Sequence, residues 1–558
     1  MVKRVFDIVY KEVRGLHQAA YVLGFFALGS QLLAIVRDRL LAHEFGAGTE
    51  LDVYYAAFRI PDVLFVLFAS TLSVYVLIPF VSSQLKHHDD KKAQALLASI
   101  FSAFLVVYAL LSGVLFFLAP YILPKLFPGL GVQMDTLVVV TRILLLQPLL
   151  LGVSSLFGVV TQLSHRFVLY AMSPLLYNLG IIFGIVVFYP LFGLAGLAYG
   201  VLLGALGHLL VQVPYIYTSN LPIRLTAHIA WREVGSILRV SIPRALTLAL
   251  GQLVFLSILG IASVMSVGSV SVFQLAFNLQ SVPLAIIGAS YSIAAFPYLA
   301  DLFAQKRMED FRLHIVTALR HILFWSIPTI ALFVVLRAHV VRVVLGSGEF
   351  SWSDTRLTAA VLALLSLSLV AQAVYLLLVR SFYAAGNTKI PFVVTVGGSL
   401  LTVLLTYMLY RTYLASPELI TFLEHMLRLE EVPGSEIMVV AFGYSVAVWV
   451  QTIVLGICGF VYFSLPTIWL FPHLLRSVCA SLVGAFASYA TLNFFSEGIN
   501  ETTFLGILIQ GFFGGVMGVT GIVLTYFVLK SPELHEIYLS FHSKVFRTDV
   551  VAPQEDIL

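Results

Sequence analysis

The stretch Leu28 to Pro79 reads LGSQLLAIVRDRLLAHEFGAGTELDVYYAAFRIPDVLFVLFASTLSVYVLIP and sets Arg37, Asp38, Asp52, Arg59 and Asp62 inside two otherwise apolar runs. A charge facing hydrocarbon costs several kcal/mol, roughly 2.5 to 3.5 at the centre of a span. Ionisable groups at that depth therefore line a wet path or pair with one another, and both readings are open here. Helical spacing places Asp52, Tyr55, Arg59, Asp62, Val66 and Ser70 on one stripe, because steps of three, four and seven return to the same face. In the preceding run Ser30 and Arg37 share a face, and Gln31 and Asp38 share the adjacent one. These stripes are expected to face a central cavity. A guanidinium is a planar fork that gives one anion two parallel hydrogen bonds, so an arginine-bearing membrane cavity suggests an anionic, phosphate-bearing substrate.

The rest of the chain agrees with a membrane setting. Of 558 residues, 60% are hydrophobic and only 11% charged, with a mean hydropathy of +0.99. Such a chain has too little polar surface to stay dissolved. It reads as an all-α polytopic membrane protein. A span needs about 20 apolar residues, and about fourteen candidates fit: 17–44, 52–83, 93–119, 135–163, 168–190, 192–218, 234–265, 268–303, 310–336, 355–385, 389–414, 437–465, 470–495 and 503–530. The first is followed by no small-residue cleavage site and reads as a retained helix. Cys458 and Cys479 both fall within spans, as small buried hydrophobes and not a disulfide framework.

Soluble-enzyme signals are missing. There is no phosphate-binding P-loop, no His-Glu-x-x-His and no paired-cysteine motif, and His87-His88-Asp89-Asp90 reads as a polar turn. No catalytic residue, metal site or cofactor is expected. The net charge of +4 is scattered over short loops, without the basic stripe and interleaved aromatics of a nucleic-acid binder, so the expected surroundings are the lipid bilayer. Lysines and arginines concentrate in the segments that are inside if the N terminus is inside: Lys3, Arg4, Lys11, Arg14, Lys86, Lys91, Lys92, Arg166, Arg224, Arg232, Lys306, Arg307, Arg312, Lys389, Arg476, Lys530, Lys544 and Arg547. By the positive-inside rule both termini are cytoplasmic.

Two polar segments stand out. Residues 219–233, SNLPIRLTAHIAWRE, mix Leu, Ile and Trp with Arg and His, as a short amphipathic helix in the interface would. Residues 411–436 are acidic and read as a solvated outer cap. The 219–233 segment separates two halves that echo each other. Ala57-Phe58-Arg59-Ile60 with Pro79 is matched by Ala276-Phe277-Asn278-Leu279 with Pro297, and Arg166-Phe167 through Ser173-Pro174 opens span five much as Ala385-Gly386-Asn387-Thr388-Lys389-Ile390-Pro391 opens span eleven. Six spans per half is an even number, which makes the halves parallel repeats about an axis along the membrane normal. The expected organisation is an N-terminal lobe 1–218, the linker 219–233, a C-terminal lobe 234–465, a helix pair 466–530 and a cytoplasmic tail 531–558. Two pseudo-symmetric six-helix lobes of this kind form an alternating-access transporter. Asn278 occupies the repeat position of Arg59, and no buried carboxylate lies between Ile242 and Ala300, leaving Asp38 and Asp52 as candidate coupling carboxylates.

Arg37-Asp38 followed by Phe45-Gly46-Ala47-Gly48, Asp52 and Ala57-Phe58-Arg59-Ile60-Pro61 resembles the first two helices of the MurJ/MviN lipid II flippase family, in the multidrug/oligosaccharidyl-lipid/polysaccharide exporter superfamily. Arg166-Phe167 with Ser173-Pro174 and Asn178, Gln212-Val213-Pro214, Pro283 with Pro297, and Phe382-Tyr383-Ala384 with Gly386-Asn387-Thr388-Lys389-Ile390-Pro391 extend the resemblance over most of residues 20–400. It implies fourteen helices, two lobes and a V-shaped cavity. The implied cargo is the undecaprenyl-pyrophosphate-linked peptidoglycan precursor, lipid II, moved to the outer leaflet of the cytoplasmic membrane. A groove at spans thirteen and fourteen for the lipid tail, and cell-wall synthesis proteins as partners, are implied with it. The match keeps the span-one arginine as Arg37 and the span-two aspartate as Asp52. Gln31, Phe65 and Asn278 stand where the family usually has Arg, and Ser70-Thr71 where it has Glu-Gly. If each lost cation made a charge-assisted bond of roughly 1.5 to 3 kcal/mol, pyrophosphate binding is weakened by several kcal/mol. The readings in competition are a lipid II flippase, an exporter of another lipid-linked oligosaccharide, a drug/cation antiporter coupled through Asp38 or Asp52, and a transport-inactive membrane scaffold.

Overall fold

The computed structural model describes residues 16–72, 77–78, 80–81, 90–219, 221–430, 432–465, 470–496 and 503–545. Among them every regular element is a helix, as hydrocarbon demands of a chain that must satisfy its own backbone N–H and C=O groups. Pro79 of the internal echo and His87 to Asp89 lie outside the described residues. In chain order the helices that frame the site and its surroundings are α1 (Leu16–Phe45), α2 (Thr49–Ala57), α3 (Arg59–Thr71), α4 (Asp90–Leu126), α5 (Gln147–Leu163), α6 (Phe167–Phe183), α7 (Leu194–Leu210), α8 (Trp231–Ser263), α9 (Ser269–Leu284), α10 (Met308–Val335), α11 (Lys389–Ala415), α12 (Pro417–Leu427), α13 (Phe471–Ser496), α14 (Phe504–Val528) and α15 (Pro532–Val545).

Eleven helices among the described residues are long and apolar enough to cross a membrane, and Trp352–Ser366 with Leu369–Ala384, bent by 42°, makes a twelfth if taken as one span. These fall on the third to fourteenth expected spans. The first two correspond to α1 and to α2 with α3, where the charges sit. Packing divides the chain into two units: Met1–Leu275 with Val344–Leu357 and Ser399–Val440, and Ala276–Val343 with Thr358–Gly398 and Ala441–Leu558.

In the first unit α1 lies against α6, α6 against α7, and α3 against both α5 and α8. The α6–α7 contact is made by glycines. A Cβ on Gly180 would stand 2.2 Å from the Gly204 Cα, and one on Gly200 would stand 2.3 Å from the Gly184 Cα, so the two backbones touch with no room for a side chain. Between α2 and α3 the helix is interrupted at Phe58. Pro61 has no N–H to offer the Ala57 carbonyl, and the ladder resumes with the Asp62 N–H donating to the Phe58 carbonyl at 2.8 Å.

The linker differs from expectation. Residues 221–230 form no helix; they are tied to α4 by hydrogen bonds. Pro222 disfavours helix at the residue before it, and the chain alternates instead, burying Leu221 and Ile223. Ser102 and Ser99 of α4 accept from the Thr226 N–H at 2.9 Å and the Ala230 N–H at 3.3 Å. The acidic segment 411–436, expected as a solvated cap, contains α12, and Glu424 and the Tyr413 hydroxyl both meet the Ser435 hydroxyl, at 2.5 and 2.7 Å.

In the second unit, α13 and α14 pack closely at Gly484 and Gly518. Both cysteines are free and partly buried. The expected tail begins with α15, which is held at a buried charge cluster. Glu533, 2% exposed, accepts from Arg320 Nε of α10 at 3.1 Å and from the Ser531 hydroxyl at 2.6 Å, with His473 Nδ1 of α13 at 2.5 Å. One turn on, Glu536 meets Arg320 Nη2 at 2.8 Å and His321 Nε2 at 2.9 Å. Burial pushes the Glu533 carboxyl up, but the Ser531 hydroxyl, its own backbone N–H, His473 and Arg320 together hold it below the usual carboxylate range. A carboxyl depressed in the folded state adds stability that is complete above its unfolded value and is lost as pH falls through its folded value. The α15 tie is therefore intact at neutral pH and weakens in acid. Glu533→Gln should cost roughly 1 to 3 kcal/mol at pH 7. Thermal unfolding in detergent between pH 7 and pH 3 should show the wild type losing this advantage over the variant below the ordinary carboxyl value of 4.5.

Candidate functional site

Because α1 and α6 pack side by side, Arg37 meets a residue 141 positions away. Its Nη1 donates to Asn178 Oδ1 at 3.2 Å, while Nε and Nη2 donate to Asp38 Oδ1 at 2.9 and 2.7 Å. The Asn178 amide nitrogen in turn donates to the Ser30 hydroxyl at 3.1 Å. Ser30 and Arg37, seven residues apart on one face of α1, are thus bridged by one carboxamide of α6. Three of the five guanidinium N–H donors are used in these bonds, which leaves two, and the Arg37 side chain keeps 22% of its exposure.

Arg59 is placed differently. It is buried, its Nε donates back to the Tyr55 carbonyl at 3.1 Å, its Nη2 lies 3.1 Å from Asp62, and its guanidinium sits 5.1 Å from the centre of the Phe255 ring of α8. Carboxylate, carbonyl and ring fix it on three sides, and it joins α3 to α8.

Asp52 is buried and its carboxylate is fully engaged. Oδ2 accepts from the Gly268 N–H at 2.7 Å; Oδ1 accepts from the Ser271 N–H at 2.7 Å and the Ser271 hydroxyl at 2.5 Å. Those N–H groups are at the start of α9, where a helix leaves its first donors without internal partners and carries partial positive charge. Asp52 thus caps α9 from another helix. The cap requires tight loops: Gly268 has φ +89°, and a Cβ there would lie 2.0 Å from the Ala47 carbonyl oxygen.

The remaining expected site residues are scattered. Gln31 is exposed and Phe65 half-buried in the first unit. Asn278 is half-buried in the second unit, on α9, with its carbonyl accepting from the Ser281 hydroxyl at 2.7 Å. Ser70 belongs to α3, and its side chain is outside what is described. The structure brings together Ser30, Arg37 and Asp38 and adds Asn178, which sequence reasoning had not placed in the site. Its signal was a carboxamide in the middle of an apolar span, four residues after Pro174. No cluster of His, Cys, Asp and Glu among the described residues could hold a metal ion.

Many apolar helices, with charges paired in α1 and α3, define a multi-pass membrane protein, and comparison with solved structures gives a known fold. The chain is similar to "Lipid II flippase MurJ, inward closed conformation", with a TM-score of 0.72 and 21% identity over 91% of this chain and 99% of that one. An inward-facing "multidrug resistance MATE family transporter of the MOP superfamily" matches with a TM-score of 0.64 and 15% identity over 78% and 94%. The family follows from sequence: the family described as "Lipid II flippase MurJ" matches residues 41–417, and the chain belongs to it. A "Probable lipid II flippase MurJ" of Buchnera aphidicola subsp. Acyrthosiphon pisum is 30% identical over 71% of this chain and 76% of its own length. The "Lipid II flippase MurJ" of Burkholderia cenocepacia is 24% identical over 70% and 78%.

If Asp52 is an anchor, Asp52→Ala strands two buried backbone N–H groups and should lower stability by roughly 2 to 5 kcal/mol, with Asp52→Asn recovering part of it. Thermal unfolding of the purified variants measures this. A variant as stable as the wild type but unable to transport would place Asp52 on the substrate instead.

Proposed function

We propose that this protein moves lipid II, the undecaprenyl-pyrophosphate-linked peptidoglycan precursor, from the inner to the outer leaflet of the cytoplasmic membrane by alternating access. The observation that carries this reading is Arg37: held in place by Asp38 and Asn178, it retains two N–H donors and part of its exposure. A guanidinium preorganised in this way loses little freedom when an anion arrives, so more of the hydrogen-bond energy appears as affinity. Membership of the lipid II flippase family supports the cargo. Both termini are cytoplasmic in this reading, the lobes 1–218 and 234–465 are the moving bodies, no chemical bond in the cargo is broken, and cell-wall synthesis proteins are the partners that use the delivered precursor.

One observation favours a second cargo, another lipid-linked oligosaccharide. Gln31, Phe65 and Asn278 carry no charge, and Arg37 and Arg59 each have a carboxylate beside them, Asp38 and Asp62. Such a site is balanced in charge and suits a less anionic head group. Depletion in the host separates the two: lipid II accumulating on the inner leaflet supports the first, and unchanged lipid II with loss of another surface polysaccharide supports the second.

Arg37→Ala should abolish transport while leaving the protein folded, because α1 stays packed on α6. Arg37→Lys should restore only part of it, since an ammonium cannot hold Asp38, Asn178 and an anion in one plane. A reconstituted flipping assay with thermal unfolding as the control checks both variants.

A further inference from the structure

Among the buried polar atoms of the first unit with no hydrogen-bond partner in the described residues, two bear on the Arg37 group. One is the hydroxyl of Tyr55, a side chain 6% exposed on α2; the other is Oε1 of Gln147, 4% exposed at the start of α5. Their surroundings are charged. The Tyr55 hydroxyl lies within electrostatic range of Asp38, Arg37, Tyr54 and Arg59. Gln147 Nε2 donates to the Tyr177 hydroxyl at 3.1 Å, and Tyr177 lies within range of Tyr54, Asp62 and Arg37. The backbone beneath Tyr55 is rigid, because its carbonyl holds the Arg59 guanidinium.

A buried polar group without a partner destabilises the fold that contains it, and such groups in native proteins call for a reason. Phe at position 55 would pack as well, whereas Leu at position 147 would give up only the bond from Nε2 to the Tyr177 hydroxyl. The two atoms also differ in what they need. The tyrosine hydroxyl can donate, as can the two remaining Arg37 N–H groups, and an anionic oxygen takes such donors. The Gln147 oxygen only accepts. An ionised phosphate has no proton to give it, whereas a sugar hydroxyl or an acetamido N–H has.

We propose that Tyr55 and Gln147 extend the Arg37 site into a phosphosugar site, Tyr55 donating to a phosphate oxygen alongside Arg37 and Gln147 accepting from a sugar hydroxyl or amide. This rests on the lipid-linked cargo proposed above and adds the residues that distinguish its sugar from its phosphate. It also gives the chain a neutral donor for phosphate where cations are few.

The test is binding of two probes, lipid II and undecaprenyl pyrophosphate, to the full-length protein in nanodiscs. Tyr55→Phe should weaken both by about tenfold, the effect of one lost bond to a charged group, with the ligand-free melting temperature unchanged or raised. Gln147→Leu should weaken lipid II and leave undecaprenyl pyrophosphate unaffected. Wild-type affinity for both probes in both variants, with Arg37→Ala still losing them, would overturn the inference and leave the cargo intact. A fall in ligand-free stability without a change in affinity would overturn it too, by making the two groups structural. Failure of the wild type to bind either probe would remove the cargo reading and the inference with it.

Discussion

A charge carried into hydrocarbon has to be answered by another polar group, and the architecture of α1 to α3 is arranged around that requirement. Arg37 is answered by Asp38 and Asn178, Arg59 by Asp62 and the Tyr55 carbonyl, and Asp52 by the first N–H groups of α9. Each answer also ties two elements together: α1 to α6, α3 to α2, and α2 to α9. The cost of a lone charge in lipid is thereby turned into a set of constraints on which helices lie side by side. Of the two arginines, Arg37 keeps the larger share of its side chain exposed after its structural bonds are made, 22% against 10% for Arg59. That is the property separating a site from a scaffold here, and charge alone does not reveal it.

How much of this could be read from the chain depended on how far apart the partners lie. The apolar spans and the face shared by Ser30 and Arg37 were legible, because helical period relates residues seven apart. Ser30 and Arg37 meet one carboxamide as that period allows. The identity of the carboxamide, Asn178, was not legible as a site residue, since no local pattern says that α1 packs on α6. The same holds for Asp52. Its charge was evident, yet its partners lie more than 200 residues on, at Gly268 and Ser271, and their signature, a glycine before a serine at a helix start, is common. In the 219–233 segment the apolar residues could be sorted on a helical face, but Pro222 and the serines of α4 favour a non-helical path over residues 221–230.

The glycine seam between α6 and α7 is a different kind of device. It contributes no side chain to the site, yet it fixes the depth and rotation of Asn178, because two backbones in contact have one way to fit. The α15 cluster does the same for the second unit with charges, holding a polar helix against α10 and α13 through one buried carboxylate. Small residues serve where the surroundings are apolar, and ionic groups serve beyond the last span, where water can complete their solvation.

The order in which these parts are synthesised gives the Arg37 group one more meaning. The α6–α7 hairpin is built from neighbouring segments joined at Gly193, so it can close as soon as its second helix has entered the bilayer, with little chain entropy to overcome. Arg37 is made about 140 residues before Asn178 is (178 − 37 = 141), and for that interval its guanidinium has no partner in α6. Asp38, the next residue in the chain, neutralises it from the moment of insertion. The adjacent carboxylate that tempers the cation in the finished transporter is therefore also what lets a charged first helix reside in the membrane while the rest of the protein is still being translated.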